Sequence, residues 1–428
     1  MKRILSITLA LAMALTGVAG VAGASEGEIV LQVFHSMTQS TKQTALAQLQ
    51  EAFTATHPNV RFENIVYNQG TDYFPQLQTA IASGNAPDVI MGNPGLYPDL
   101  INEGYAMDLT GNGTIQSMNL TKGDLGDVSA NGVVYAFPID FKTWGVFYNV
   151  KLFEELGIEV PTTKSEMLAV CEKLAASGVD PWIRAIGDGV YGDIEARNTI
   201  WPRAVAAGDV TLYEDLMSGK LKVTELPYFQ EAVQNWADRL QWHRADDISN
   251  GQDKAIELFV AGEGAMYYGG TWSVGDIVSK IGDSDFQLDF FVAPVDEDPA
   301  STKMNVQVDQ AYMVNPKGDH ADIALQFMEF WVTDGAMIWS EATQMPLITG
   351  KTSDKLLPMV RTLAEIKQSG NTVGYGDFSK PFNTEFTAAF RKALNEFGES
   401  VATGTGMTVE QCLENMQAYF DDIIATNY

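Results

Sequence analysis

Trp272 stands in the stretch Gly269-Gly270-Thr271-Trp272-Ser273, where glycines ahead of an indole let a ligand come close to the backbone. An aromatic ring in such a place suits a molecule with a flat sheet of C–H bonds. Sugars present that sheet, edged by hydroxyls that Asp, Asn, Gln or His can hold at the rim. Three more of the eight tryptophans sit beside turn residues. Trp182 follows Asp180-Pro181, Trp201 precedes Pro202, and Trp144 follows Asp140-Phe141-Lys142-Thr143. Each of these reads equally as packing or as ligand contact. Trp236, Trp331 and Trp339 fall at helical spacing and read as core.

Catalytic patterns are missing. There is no His-Glu-x-x-His pair for zinc, and the four histidines (His35, His57, His243, His320) are scattered. No phosphate-cradling Gly-x-x-x-x-Gly-Lys loop occurs. Thr271-Trp272-Ser273-Val274-Gly275 has threonine where a nucleophile elbow needs its first glycine. No cofactor and no metal are therefore expected, and the chain is read as a binding protein rather than an enzyme. A glycosidase needs only two carboxylates. With 55 acidic residues present, a secreted carbohydrate-active hydrolase stays open as the alternative.

The elements that must carry these residues alternate over the first 110 positions. Ile29 to Phe34 is a β-branched and aromatic run that predicts a buried strand. Ala45, Leu46, Leu49, Ala52 and Phe53 make one helical face, which His57-Pro58 ends. A second strand is expected over Val60 to Tyr67, a helix around Phe74 to Ile81, and a third strand over Asp88 to Met91. This order implies parallel strands with right-handed crossovers, an α/β lobe whose ligands sit beyond the carboxyl ends of the strands. His35-Ser36, Asn68-Gln69 and Gly92-Asn93 occupy those ends. Later strands are expected at Val133 to Phe137, Trp144 to Tyr148 and Phe286 to Val292. Helices are expected at Ser165 to Ser177, Tyr228 to Trp242, Ala321 to Val332, Phe386 to Phe397 and Val409 to Ile424.

The net charge of −28, from 27 basic against 55 acidic residues, argues against nucleic acid and anionic membrane surfaces as partners, since both need a positive patch. Lys2-Arg3, the apolar run Ile4 to Val18 and Ala22-Gly23-Ala24 together read as a signal peptide over residues 1–24, cleaved near Ala24. That leader holds no cysteine, so no lipid anchor is expected, and a periplasmic location follows. The two cysteines, Cys171 and Cys412, are too few for a disulfide framework and are read as buried thiols.

Several segments, in order, carry a likeness. Leu77-x3-Ile81-Ala82-Ser83-Gly84-Asn85-Ala86-Pro87-Asp88-Val89 is followed by Gly104-Tyr105-Ala106-Met107-Asp108-Leu109-Thr110. Tyr135-Ala136-Phe137-Pro138 leads to Val146-Phe147-Tyr148-Asn149. Phe259-x2-Gly262-x2-Ala265-Met266-x2-Gly269-Gly270-Thr271-Trp272 and Ala324-x2-Phe327-x2-Phe330-Trp331 come later. Together they resemble the sugar-binding extracellular solute-binding proteins of ABC importers, the family of maltose- and glycerol-phosphate-binding proteins. The resemblance implies a two-lobed α/β periplasmic-binding-protein fold, with several crossings and a ligand cleft at the hinge. One lobe would take residues 27–138 plus 304–342, the other 139–303 plus 343–428. It also implies a monomer that delivers a small sugar to membrane permease subunits, or that feeds a membrane receptor as a sensory subunit. Carried onto this chain, it makes Trp272 the stacking ring, with His35, Ser36 and Asn93 as polar contacts; Gln69, in the loop after the second strand, is expected beside them from its place at a strand end. Asp140 and Asp309 would reach the ligand from the hinge, and Phe378 and Phe382 would add aromatics.

Overall fold

The computed structural model describes residues 27–68 and 72–427. The expected leader and Gln69 lie outside the described residues. Two sheets organise the chain. The first has five strands in the order Val60–Val66, Ile29–His35, Val89–Met91, Ala311–Val314, Ala136–Pro138. The three N-terminal strands are parallel, as the strand–helix alternation requires. The late strand Ala311–Val314 enters antiparallel between Val89–Met91 and Ala136–Pro138. Helix Ser40–Thr54 buries Ala45, Leu46, Leu49 and Phe53. The Phe53 ring meets Phe327 of helix Ala321–Val332 at 5.3 Å between centroids.

The second sheet runs Leu288–Phe291, Trp144–Asn149, Met266–Gly270, Trp182–Ile183. Strand Trp144–Asn149 is antiparallel to both neighbours, and Trp182–Ile183 is parallel to Met266–Gly270. Helices Lys164–Ala176, Pro227–Leu240, Thr384–Thr403 and Val409–Asn427 belong to this half. Local chemistry sets their ends. Thr163 and Glu166 form a reciprocal capping box. Asn383 caps Phe386 through its side chain, and Gly404 closes the same helix with a left-handed backbone at φ 70°.

Several elements differ from the sequence expectation, and two show the reason. The single strand expected at Val133 to Phe137 is divided. Val133–Val134 pairs back on Ser129–Ala130, and Ala136–Pro138 joins the large sheet. Asn131 and Gly132 turn this hairpin with φ of 52° and 80°, the two positive angles that a tight two-residue turn demands. Helix Tyr191–Ala207 was not expected. Every residue from Tyr191 to Pro202 is buried, so it shows no amphipathic stripe, and Pro202 sits inside it. Its polar positions are instead satisfied internally: Asp193 pairs with Arg197 and Arg391, and Glu195 with Arg184 and Arg239.

Between the sheets the chain crosses in adjacent segments. Phe141–Lys142 pairs antiparallel with Gln307–Val308. A third segment closes on them, where the Phe141 amide donates to the Pro346 carbonyl and the Ile348 amide to Ile139. These segments form the hinge of a two-lobed molecule.

Candidate ligand cleft

The first strand ends at His35, and the helix that follows it begins close to the segment just after Trp272. At the start of helix Ser40–Thr54, the Thr41 hydroxyl lies 3.0 Å from where a Cβ on Gly275 would stand. The lobes therefore touch where the Ser40 helix and helix Val274–Ile281 begin.

Trp272 occupies a single turn of 3-10 helix between strand Met266–Gly270 and helix Val274–Ile281. It is half-buried. The six-membered ring lies over Gly270 so closely that any Cβ there would fall inside it. The indole Nε1–H donates to Gln252 Oε1 at 2.8 Å. No aromatic ring among the described residues stacks on it, and the side chain keeps partial exposure.

Across the seam, His35 ends the first strand and is 1% exposed. Burial lowers its pKa to about 4, which keeps the ring neutral near pH 7. Its Nδ1 accepts the Met37 amide at 3.3 Å. The proton must then sit on Nε2, a buried donor with no protein partner. Ser36 turns its hydroxyl toward Met91 Sδ at 3.5 Å. Asn93 caps the turn Pro94–Leu96 by accepting the Gly95 amide at 3.4 Å and is half-buried. Strand pairing of Phe34 with Ile90 brings these two loops side by side.

Six other expected contacts are spent inside the protein. Asp140 is fully buried; it accepts the Gln310 amide at 2.9 Å and the Trp339 indole N–H at 2.7 Å. Desolvation, and next the neighbouring Asp309 carboxylate, raise its pKa to about 7. Asp309 holds Lys42 at 3.0 Å and Lys142 at 3.3 Å. Desolvation is the largest single influence on it and pushes upward, but the two ammonium groups together pull its pKa below the usual carboxylate range. Both carboxylates thus tie the hinge together. Trp182 is a fully buried strand residue beneath the Arg184 guanidinium, not a turn residue. Trp201 is fully buried mid-helix, donates to the Tyr213 hydroxyl, and packs against Trp144 at 5.5 Å and Tyr375 at 4.7 Å. Phe378 and Phe382 complete this core around Tyr213. The proline beside Trp201 does not make a turn but lies inside a helix, and Trp182 enters a strand directly after Pro181.

Sequence reasoning missed Gln252, Tyr191 and Lys42. Gln252 opens helix Gln252–Val260, and nothing in its sequence neighbours points to the indole it meets. Among the described residues there is no His, Cys, Asp and Glu cluster fit for a metal ion, and no helix long and apolar enough to cross a membrane. Cys171 and Cys412 are free and buried, and desolvation lifts their pKa values to about 11 and about 12.

Two lobes, a pinched hinge and a half-buried indole at the seam define a solute-capturing fold. A profile of the bacterial extracellular solute-binding protein family matches residues 38–338, and the chain belongs to that family. The alpha-glucosides-binding periplasmic protein AglE of Rhizobium meliloti is 31% identical over 195 residues, 42% of this chain and 41% of that one. The multiple sugar-binding protein of Streptococcus mutans is 23% identical over 284 residues, 61% of this chain and 62% of that one. The chain thus aligns with less than two thirds of either relative. The ligand-free form of RafE from Streptococcus pneumoniae shares the fold at a TM-score of 0.73. It is 16% identical, and the match covers 93% of this chain and 98% of that one.

Proposed function

We propose that this protein captures a small neutral carbohydrate in the interlobe cleft and hands it to the permease subunits of an ABC importer. The carrying observation is Trp272, whose indole edge is fixed and which stays partly exposed three residues from the Gly275–Thr41 contact where the lobes meet. The lone donor on His35 and the Ser36 and Asn93 loops supply rim contacts from the opposite lobe. The first lobe comprises residues 27–138 plus 304–342, and the second 139–303 plus 343–428. The relatives named for alpha-glucosides and for multiple sugars support the ligand class. Neutrality is supported by the seam itself: Lys42 and Lys142 both pair with Asp309, and the carboxylates of Asp140 and Asp276 also act on Lys42, so no cation there is left without an acidic neighbour. Closure follows from a ligand that binds the closed form better than the open one. Export through the leader, cleaved near Ala24, places the protein in the periplasm as a monomer.

A thermal-shift panel of neutral mono-, di- and trisaccharides, with glycerol phosphate alongside, tests this. A ligand at 100 times its Kd adds about 2.7 kcal/mol, so at least one neutral sugar raises Tm clearly and glycerol phosphate does not. A flat panel, or release of smaller sugars during incubation, overturns the reading.

A further inference from the structure

We infer that Gln252 is a positioning residue that sets the stacking plane of Trp272; this rests on Trp272 being the sugar-stacking ring. An indole N–H can only donate, so the atom of Gln252 facing it is the amide oxygen, and the side-chain orientation is fixed. That oxygen also lies 3.3 Å from the Tyr191 hydroxyl, which is 2.8 Å from the Tyr267 hydroxyl. Tyr191 has one hydroxyl proton. When it donates this to Gln252, the Tyr267 hydroxyl donates to it in turn, giving a one-way chain from Tyr267 through Tyr191 to Gln252, met by Trp272 from the other side. Tyr191 and Tyr267 are both buried and so are rigid anchors.

The side chain of Gln252 is not needed to start its helix. Its own amide is held independently by Asp188 Oδ2 at 2.7 Å, and Gly251 packs a would-be Cβ position 2.8 Å from Asp188 Oδ1. What the side chain does is grip the indole edge while Gly270 forms the floor. Without that grip the indole is free to rotate about its side-chain torsions, and a ring that must be re-ordered on binding loses affinity. Gln252 thus acts on the sugar through Trp272, without touching it.

The test compares Gln252→Leu, which removes the acceptor, with Gln252→Glu, which keeps it. In the ligand-free protein, the Trp272 indole N–H resonance is assigned by its loss in Trp272→Phe. Its solvent exchange should quicken about tenfold in Gln252→Leu and stay slow in Gln252→Glu. With raffinose and maltotriose as probes, affinity should fall about tenfold in Gln252→Leu and be restored in Gln252→Glu, at unchanged Tm. Unchanged indole exchange in Gln252→Leu overturns the inference, as does a Gln252→Glu variant that behaves like leucine in both measurements. If Trp272→Ala binds either sugar as the wild type does, or the wild type binds neither, the stacking reading fails instead, while the exchange data still decide whether Gln252 holds the indole.

Discussion

Gly270 matters because it has no side chain. The Trp272 ring lies on its Cα, so Gly270→Ala must lift the indole from its floor. Calorimetric titration with a bound sugar should show affinity falling at least about tenfold, with the free protein melting near the wild-type temperature. Trp272 and Trp201 form the sharper pair. Trp201→Ala removes a fully buried ring from an aromatic core and should cost about 3–5 kcal/mol in chemical denaturation. Trp272→Ala should cost little stability yet abolish sugar-induced stabilisation. If the two variants behave in the reverse way, the assignment of one ring to the core and the other to the cleft is wrong.

Among the elements, the two helix starts at the seam decide how closely the lobes approach. Gly275 opens helix Val274–Ile281 opposite Thr41, and the 3.0 Å approach leaves no room for a branched side chain. Gly275→Val should hold the lobes apart. Small-angle scattering on the sugar-saturated variant should then keep the radius of gyration of the ligand-free protein, whereas the wild type contracts. Near the hinge a second glycine contact, Gly126 against Gly376, works alongside the buried pair Asp124–Lys367 at 2.8 Å. These are contacts that a helix of the first lobe, Lys122–Asp127, makes with the C-terminal portion of the chain.

For the whole molecule, the hinge concentrates buried charge. Asp309 bridges Lys42 of the first lobe and Lys142 of the crossing strand. Removing one partner from a buried pair leaves an uncompensated charge, so Asp309→Ala should cost about 3–5 kcal/mol. Lys42→Met with Asp309→Leu should cost less than the single changes summed, which a double-mutant cycle in urea would show. Asp127 adds a pH dependence. Desolvation raises its pKa to about 7, although it accepts the Val308 amide at 2.9 Å. A carboxyl raised in the folded state binds more protons there than when unfolded. Its effect on stability is therefore most favourable below about pH 4 and declines as pH rises to about 7. Asp140 has the same sign. Asp309, whose pKa is depressed, opposes them by losing its contribution only at lower pH. Asp127→Asn should raise stability at pH 8 by on the order of a few kcal/mol and flatten the slope between pH 4 and 7. An unchanged slope would show that Asp127 is ionised in the fold.

Read without coordinates, the chain declares its first lobe plainly. Helix Ser40–Thr54 and helix Ala321–Val332 follow from periodicity, because each buries one face and exposes another, while strand Ile29–His35 follows from its β-branched and aromatic run. Gly269-Gly270 ahead of Trp272 was equally legible, since glycines beside an indole act locally. Helix Tyr191–Ala207 was not legible, because a helix buried on every side has no period to read. Nor were the roles of Asp140, Asp309 and Trp201, whose sequence neighbours looked like a site. Their partners Trp339, Lys42 and Tyr213 lie far along the chain or on other elements, and only folding brings them together. Residue type and spacing determine which element forms and which atoms are capable of binding. Which of those atoms remain free for a ligand is decided by what packs against them, and that is a property of the tertiary structure alone.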